Sequence, residues 1–199
     1  MTVQIPDGID INARNEEGLT ALFVAAYAQN LSVVQTLISR GANVNATAQD
    51  NWTPLMGACM KGNYPIAKAL LDAGADAKVE NDDTGCFALM YAAQIGSLEL
   101  VKELIPLSQV NRQSKDGWTA VMLAAQNDLL EVVTYLAKEC EADVNLSDSR
   151  GYTALHYATQ EGLTAMVKLL LESGANALLA DTNSVTCLHS AVFLKNLEL

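Results

Sequence analysis

The chain has 199 residues, half of them apolar, and its 23 acidic against 12 basic residues give a net charge of −11. This acidic balance disfavours nucleic acid and anionic membrane surfaces as partners, because binding to phosphates depends on clustered Lys and Arg. High apolar content also excludes intrinsic disorder. No apolar run approaches the roughly 20 residues that cross a bilayer. We therefore expect no membrane insertion and an intracellular, cytoplasmic protein, with the nucleus left open.

A five-residue pattern, Gly-x-Thr-x-Leu, recurs along the chain. Its central position falls at steps of 33, 34, 32, 34 and 33 residues, at Thr20, Thr53, Phe87, Thr119, Thr153 and Thr186. Five positions later comes an alanine each time, at Ala25, Ala58, Ala92, Ala124, Ala158 and Ala191. A period of about 20–50 residues indicates a stack of repeated units and argues against a single globular core.

The residue pattern within each unit predicts two helices. The recurring Thr is expected to cap a short first helix with its hydroxyl oxygen, and Pro54 fits the first turn because no donor is needed there. A second helix carries apolar residues at helical spacing, as at Val33, Val34 and Leu37. Glycines able to adopt the left-handed conformation are expected to end the second helices. These glycines are Gly41, Gly74 and Gly174.

The fifth unit shows the pattern most fully. It reads Gly151-Tyr152-Thr153-Ala154-Leu155-His156-Tyr157-Ala158, then Val167-Lys168-Leu169-Leu170-Leu171 and Gly174-Ala175-Asn176. These segments resemble the ankyrin repeat, and the resemblance extends from about residue 4 to residue 199. It implies an all-α solenoid of stacked helix-turn-helix units joined by β-hairpin-like loops. We expect a single array over 1–199, with partial copies at 1–15 and 182–199 and repeats at about 16–48, 49–82, 83–114, 115–148 and 149–181.

A narrower resemblance comes from three further segments. Leu104-Ile105-Pro106, Asp116-Gly117-Trp118-Thr119 and Ala88-Leu89-Met90-Tyr91-Ala92-Ala93 are similar to ankyrin-only proteins of protozoan parasites. This resemblance implies a chain that consists of repeats alone.

Some parts of the chain depart from the repeat pattern. The third copy has Phe87 in place of the capping Thr, and Pro106-Leu107-Ser108 in place of the closing glycine segment. A local change in stacking angle is expected at the junction of the third and fourth repeats. The sixth copy stops at Leu199, where its second helix should begin, and its Leu194 and Leu197 are unlike a polar terminal cap. We therefore expect the native protein to be longer.

The sequence predicts no enzyme activity, no cofactor and no metal site. His156 and His189 occupy the position where the ankyrin resemblance implies a histidine that braces the hairpin, and they lie in separate repeats. They therefore form no metal-binding pair. The cysteines lie far apart without a CxxC pair, which is typical of small reduced side chains. They are Cys59, Cys86, Cys140 and Cys187.

The resemblance implies protein binding through the concave face and the hairpin tips. Two registers supply the predicted contacts: the residue just before each Thr, and the residue seven after it. The hairpin-tip candidates are Leu19, Trp52, Trp118 and Tyr152, and the first-helix candidates are Tyr27, Met60, Gln94, Gln126 and Gln160. Aromatic residues are typical of binding hot spots. Alternatively, the aromatic tips stack on neighbouring hairpins and stiffen the array.

The expected function is a non-catalytic, monomeric scaffold that binds a protein partner. The acidic charge favours a partner with a basic surface, through faster encounter. The alternative is that the array is the targeting arm of a larger enzyme, a kinase or a ubiquitin ligase, whose catalytic domain lies outside this chain.

Overall fold

The computed structural model of the chain describes residues 8–193, and their regular structure is helical. The helices are α1 (Ala21–Tyr27), α2 (Leu31–Ser39), α3 (Pro54–Met60), α4 (Tyr64–Asp72), α5 (Ala88–Ile95), α6 (Leu98–Leu104), α7 (Ala120–Gln126), α8 (Leu130–Glu139), α9 (Ala154–Gln160), α10 (Thr164–Glu172) and α11 (Cys187–Phe193), with 3₁₀ turns at Gln49–Asn51 and Ile105–Leu107. Within this range, β structure is limited to two isolated antiparallel bridges, Arg14 with Thr20 and Ala180 with Thr186. The predicted all-α class is confirmed.

The chain forms two compact units, one ending at Ser108 and the other beginning at Gln109. The N-terminal unit contains the pairs α1/α2, α3/α4 and α5/α6. The C-terminal unit contains α7/α8 and α9/α10, followed by α11. Their boundary lies directly after Pro106-Leu107-Ser108, the segment that departs from the repeat pattern. The single array over 1–199 stays a prediction, and the expected features at Leu194, Leu197 and Leu199 lie outside the described residues.

Neighbouring repeats pack helix on helix within each unit. In the N-terminal unit α1 contacts α3 and α3 contacts α5, while in the C-terminal unit α7 contacts α9 and α9 contacts α11. The recurring alanine is buried in these contacts, at Ala25, Ala58, Ala92, Ala124 and Ala158. The second-helix leucines are also buried, at Leu37, Leu70, Leu104, Leu136 and Leu170. Small residues let the first helices approach closely, and the leucines supply most of the apolar burial that stabilises the stack.

The predicted helix caps are present. The hydroxyl oxygens of Thr20, Thr53 and Thr119 accept hydrogen bonds from the backbone N–H three residues on, at 3.2, 3.1 and 3.2 Å. Each such cap contributes about 1 kcal/mol. Phe87 cannot make this bond, and its side chain is instead almost fully buried. Apolar burial therefore replaces the cap at the start of α5.

The second helices end as the glycines predict. Gly41, Gly74 and Gly174 have φ angles of 83°, 90° and 90°. Beyond this end, asparagine side chains connect successive repeats. Asn45 accepts a hydrogen bond from the backbone N–H of Asp76 at 2.8 Å and donates to the carbonyl of Gly74 at 3.1 Å. Asn145 makes the same pair of bonds in the C-terminal unit, at 2.7 and 3.1 Å.

Both histidines brace their hairpins, as the resemblance implied. The backbone N–H of Thr153 donates to His156 Nδ1 at 3.2 Å, and the Thr153 hydroxyl lies 3.0 Å from the same nitrogen. His189 Nδ1 accepts the N–H of Thr186 at 3.3 Å. Since Nδ1 accepts the hydrogen bond, the neutral imidazole of His156 is assigned its proton on Nε2.

His156 is buried in a setting that disfavours its charged form. Its Nε2 atom is buried and makes no hydrogen bond to any described residue. Burial lowers the pKa of His156 below its ordinary 6.5, and the backbone of Val185 and the carboxylates of Asp181 and Asp148 oppose this shift only in part. Four of the other five described copies carry an apolar residue at this position, Phe23, Met56, Met90 and Met122, and the fifth carries His189. An uncharged side chain therefore suits this site.

Successive hairpin tips touch through their backbones. In the C-terminal unit the carbonyl of Asp116 accepts a hydrogen bond from the N–H of Ser149 at 2.8 Å. The adjacent Gly117 has a φ of 83°, and a Cβ placed there would lie 2.8 Å from the Cα of Asp148. A side chain at this position would therefore force the two tips apart.

We expect Gly117→Ala to destabilise the chain more than Gly174→Ala. Both positions have positive φ, so both variants lose about 1–2 kcal/mol from left-handed strain. A Cβ at Gly174 meets nothing within 4 Å, whereas one at Gly117 collides with backbone, which should add at least about 1 kcal/mol. Urea unfolding of the two variants measures the difference, and equal losses would contradict close tip packing.

The stability of the chain should fall in mild acid because of His156. The unfolded histidine binds its proton near 6.5, while the folded one resists protonation, so stability is lost as pH falls through that value toward the lower folded pKa. Between about pH 7.5 and about pH 5.5, the free energy of unfolding should decrease more for the wild type than for His156→Met. His189→Met controls for removal of a histidine from an exposed copy of the contact. Parallel profiles for the wild type and His156→Met would refute the burial argument.

Candidate protein-binding groove

Four of the predicted partner-binding residues line one groove in the N-terminal unit. Leu19 and Tyr27 come from the first repeat, and Trp52 and Met60 come from the second. The groove has a volume of about 510 Å³, which is within the range of small-ligand sites. The hairpin-tip register and the first-helix register thus meet on one surface.

Aromatic rings form the wall of this groove. Phe23 and Tyr27 are stacked, with ring centroids 6.3 Å apart and an interplanar angle of 8°. Tyr27 is 42% exposed, and the Lys61 ammonium lies 4.2 Å from its ring centroid. Trp52 is half-buried and packs on Tyr91, with centroids 5.0 Å apart. Burial raises the pKa of Tyr91, so this phenol stays neutral and serves as packing for the indole.

Two carboxylates lie at the rim of the groove. Glu17 and Asp50 both line it and are exposed. Asp50 and Asn51 form the tip of their hairpin with φ angles of 52° and 59°, a conformation that Asp and Asn adopt more readily than most residues. The turn that carries Glu17 is fixed by Asn15, whose Oδ1 accepts hydrogen bonds from the N–H groups of Glu17 and Leu19 at 3.1 and 2.8 Å. Among the described residues, neither rim carboxylate has a hydrogen-bond or ion-pair partner.

The predicted tip residues of the C-terminal unit are packed into an aromatic cluster. Trp118 lies on Tyr157 with centroids 4.5 Å apart, and Tyr152 meets Tyr157 edge-on at 5.6 Å. The Tyr157 hydroxyl donates to Asp148 Oδ2 at 2.5 Å and also contacts the Arg150 guanidinium. Burial, followed by the hydrogen bond with Asp148, raises the pKa of Tyr157. Trp118 thus stacks on the first helix of the next repeat, as Trp52 does on Tyr91.

The three glutamines of the first-helix register are exposed. Gln160 donates from Nε2 to the Tyr152 hydroxyl at 3.0 Å. Gln94 and Gln126 lie at exposed positions on α5 and α7. The groove lining does not include them.

Sequence reasoning missed five groove residues, which are Glu17, Phe23, Ala48, Gln49 and Asp50. Phe23 precedes Tyr27 by four residues on α1, a spacing that places both side chains on one helix face. Glu17 and Asp50 each stand two residues before a tip residue, at Leu19 and Trp52. The residues two positions before the tips therefore indicate the acidic rim of the groove, which the two predicted registers do not.

No group of three or more His, Cys, Asp and Glu within residues 8–193 could hold a metal ion. The four cysteines, all within the described residues, form no disulfide, and burial raises the pKa of Cys59 to about 12, so its thiol stays protonated and packs as a small apolar group. None of the helices in this range is both long enough and apolar enough to cross a bilayer.

Comparison with known proteins agrees with this geometry. The family model of ankyrin repeats (3 copies) matches residues 2–81, 74–148 and 140–199. The solved ankyrin repeat domain of Bcl-3 superposes with a TM-score of 0.79 at 28% identity, over 92% of this chain and 82% of that chain.

Curated relatives are similar over part of the chain. An ankyrin repeat and SAM domain-containing protein 6 of Rattus norvegicus is 36% identical over 111 residues, which is 54% of this chain and 12% of that protein. The putative palmitoyltransferase ZDHHC13 of Danio rerio is 30% identical over 119 residues, which is 59% of this chain and 18% of that protein. This chain thus spans under a fifth of either relative, and neither supports the narrower resemblance to parasite proteins. Because the family model covers nearly its whole length, the chain belongs to the ankyrin-repeat family.

Proposed function

We propose that this chain is a non-catalytic scaffold that binds a protein partner across the groove of its N-terminal unit. The observation that carries the proposal is the convergence of Leu19, Tyr27, Trp52 and Met60 on one open surface. Ankyrin repeats are protein-interaction modules and are generally non-catalytic.

The groove is pre-formed by the fold, which favours binding. Its aromatic wall is held by stacking within α1 and by the contact of Trp52 with Tyr91. Side chains that are already fixed lose little conformational entropy when a partner docks. Half-exposed Trp and Tyr residues also supply large contact areas at low entropic cost.

The charge of the chain supports a partner with a basic surface. The net charge is −11, and the rim of the groove is acidic. Opposite charges accelerate encounter, and the effect weakens with salt. We place the protein in the cytoplasm, in keeping with cysteines that form no disulfide, and propose that it acts as a monomer.

The alternative, that the array is the targeting arm of a kinase or ubiquitin ligase, is not favoured. Curated relatives with enzyme names include the palmitoyltransferase of Danio rerio, matched over 18% of its length, and a probable E3 ubiquitin-protein ligase of Oryza sativa subsp. japonica, matched over 27% of its length. In such relatives the matched repeats form a small part of a longer protein that has an enzyme name. No observation on the described residues of this chain supports the targeting-arm alternative. The resemblance to parasite proteins likewise gives no support to the scaffold proposal.

The double variant Tyr27→Gln/Met60→Gln should lose partner binding while it keeps its stability. Glutamine already occupies this register in three other repeats, at Gln94, Gln126 and Gln160, so the fold accepts it. Removal of the aromatic and thioether surfaces should weaken the Kd about tenfold or more. Affinity capture with the immobilised chain, followed by titration of the purified partner, measures the loss.

Leu171→Gln is the matched control. Leu171 is a 43% exposed apolar residue on α10, so its replacement also removes exposed apolar surface, but in the C-terminal unit. The control should retain the wild-type partners, and both variants should melt within about 2 °C of the wild type. Unchanged Kd values for the groove variant at unchanged stability would refute the proposed surface.

A further inference from the structure

We infer that the groove of the N-terminal unit recognises an arginine side chain of the partner. The guanidinium would lie against the aromatic wall and pair with the carboxylates of Glu17 and Asp50. This inference rests on the proposed function and specifies what part of the partner the groove takes.

The ring arrangement provides flat surfaces for a planar cation. The Phe23 and Tyr27 rings are nearly parallel, at 8°, and Trp52 also lines the groove. The faces of such rings attract cations within about 6 Å, and Trp attracts them most strongly. Tyr27 already shows this affinity, because the Lys61 ammonium lies 4.2 Å from its centroid.

The rim supplies two exposed carboxylates, Glu17 and Asp50. Glu17 and Asp50 are exposed and have no hydrogen-bond or ion-pair partner among residues 8–193. The residues that line the groove include no Lys or Arg. An aromatic wall with a negative rim is complementary to a cationic side chain that also has an apolar stem.

In the C-terminal unit an arginine of the chain itself is held by aromatic rings and a carboxylate. The Arg150 guanidinium carbon lies 4.8 Å from the Tyr152 ring centroid and 5.7 Å from that of Tyr157. The same group pairs with the buried carboxylate of Asp148 at 3.3 Å. Arg150 stands two residues before its tip aromatic, and Asp50 occupies the same register before Trp52. In the N-terminal unit a carboxylate stands at this register and no Lys or Arg lines the groove, so an arginine paired with the rim would be the partner's.

Arginine fits this site better than lysine for a geometric reason. A guanidinium is planar, stacks on rings and donates two parallel hydrogen bonds to a carboxylate, whereas an ammonium is a strongly hydrated point charge. The groove offers both rings and carboxylates, so it uses both properties of arginine. Discrimination between the two cations is therefore the sharpest consequence of the inference.

The test uses the two indole N–H signals of the full-length ¹⁵N-labelled chain, assigned with Trp52→Phe and Trp118→Phe. The probes are the capped peptides acetyl-Gly-Gly-X-Gly-Gly-amide with X as arginine, lysine or citrulline. Citrulline has the shape of arginine without its charge. The arginine peptide should shift the Trp52 signal saturably and leave Trp118 in place. The lysine peptide should bind about fivefold more weakly, and the citrulline peptide about tenfold or more.

Conservative variants of the rim carboxylates should weaken the binding of the arginine peptide and leave the binding of the uncharged citrulline peptide unchanged. Glu17→Gln and Asp50→Asn each remove one carboxylate, and asparagine keeps the left-handed preference at position 50. Each should raise the Kd about threefold or more. Glu16→Gln is the matched control, since it is an exposed neighbour with the same charge change and lies outside the groove lining. It should leave the Kd unchanged.

Three outcomes overturn the inference: no Trp52 shift with arginine, equal affinity for citrulline, or equal shifts at Trp52 and Trp118. If Tyr27→Gln/Met60→Gln still abolishes partner capture in those cases, the scaffold proposal stands and the groove takes another side chain. If the arginine peptide binds as expected but partner capture ignores the double variant, the arginine site stands and the proposed partner surface fails. The two failures are therefore distinguishable.

Discussion

Each repeat in this chain depends on its neighbour to bury its apolar face and to satisfy its backbone. The carbonyl of Asp50 accepts the N–H of Asp82 at 2.8 Å, and Asp116 repeats this bond with Ser149. Asparagine side chains make a second connection beyond each second helix. A helix pair has too little apolar surface to fold alone, so these contacts between repeats provide the stability of each unit. They also require close backbone approach, which explains why glycine stands at Gly117.

Because the repeats stack in a fixed order, residues that recur once per repeat in the sequence form a continuous surface within each unit. Because successive tips are hydrogen-bonded in register, residues at equivalent positions lie side by side within a unit. Leu19 and Trp52 line one groove, as do Tyr27 and Met60, and helix α1 packs on helix α3 between them. Binding chemistry can then vary freely along these registers, since the exposed positions carry little of the stabilising contact. The exposed glutamines in the remaining repeats illustrate this freedom.

Local and periodic features could be predicted from the sequence, whereas lateral contacts could not. Caps such as Thr53, helix ends such as Gly74 and the buried leucines follow from the chemistry of one unit, and the structure confirms them. Trp52 and Trp118 each stack on a tyrosine of the next repeat, Tyr91 and Tyr157. Trp118 lies on Tyr157, four residues after the next cap. A single-unit pattern contains no information on that pairing.

The charge of the residue two positions before each hairpin-tip residue differs between repeats. Two residues before the tip, the C-terminal unit has Arg150, whose guanidinium covers its own aromatic rings and pairs with Asp148. The N-terminal unit has Asp50 there, and Glu17 in the preceding repeat. The Arg150 guanidinium therefore offsets the Asp148 carboxylate within the C-terminal unit, whereas Glu17 and Asp50 stay exposed at the groove of the N-terminal unit. The sign of the charge at this register does not decide the difference alone, because the C-terminal unit also has an acidic residue there, Asp116 before Trp118. The carboxylate and the ring that hold Arg150, Asp148 and Tyr157, have Ala48 and Gly57 as their counterparts in the second repeat, so the residues around the register determine whether its charge is paired within the chain.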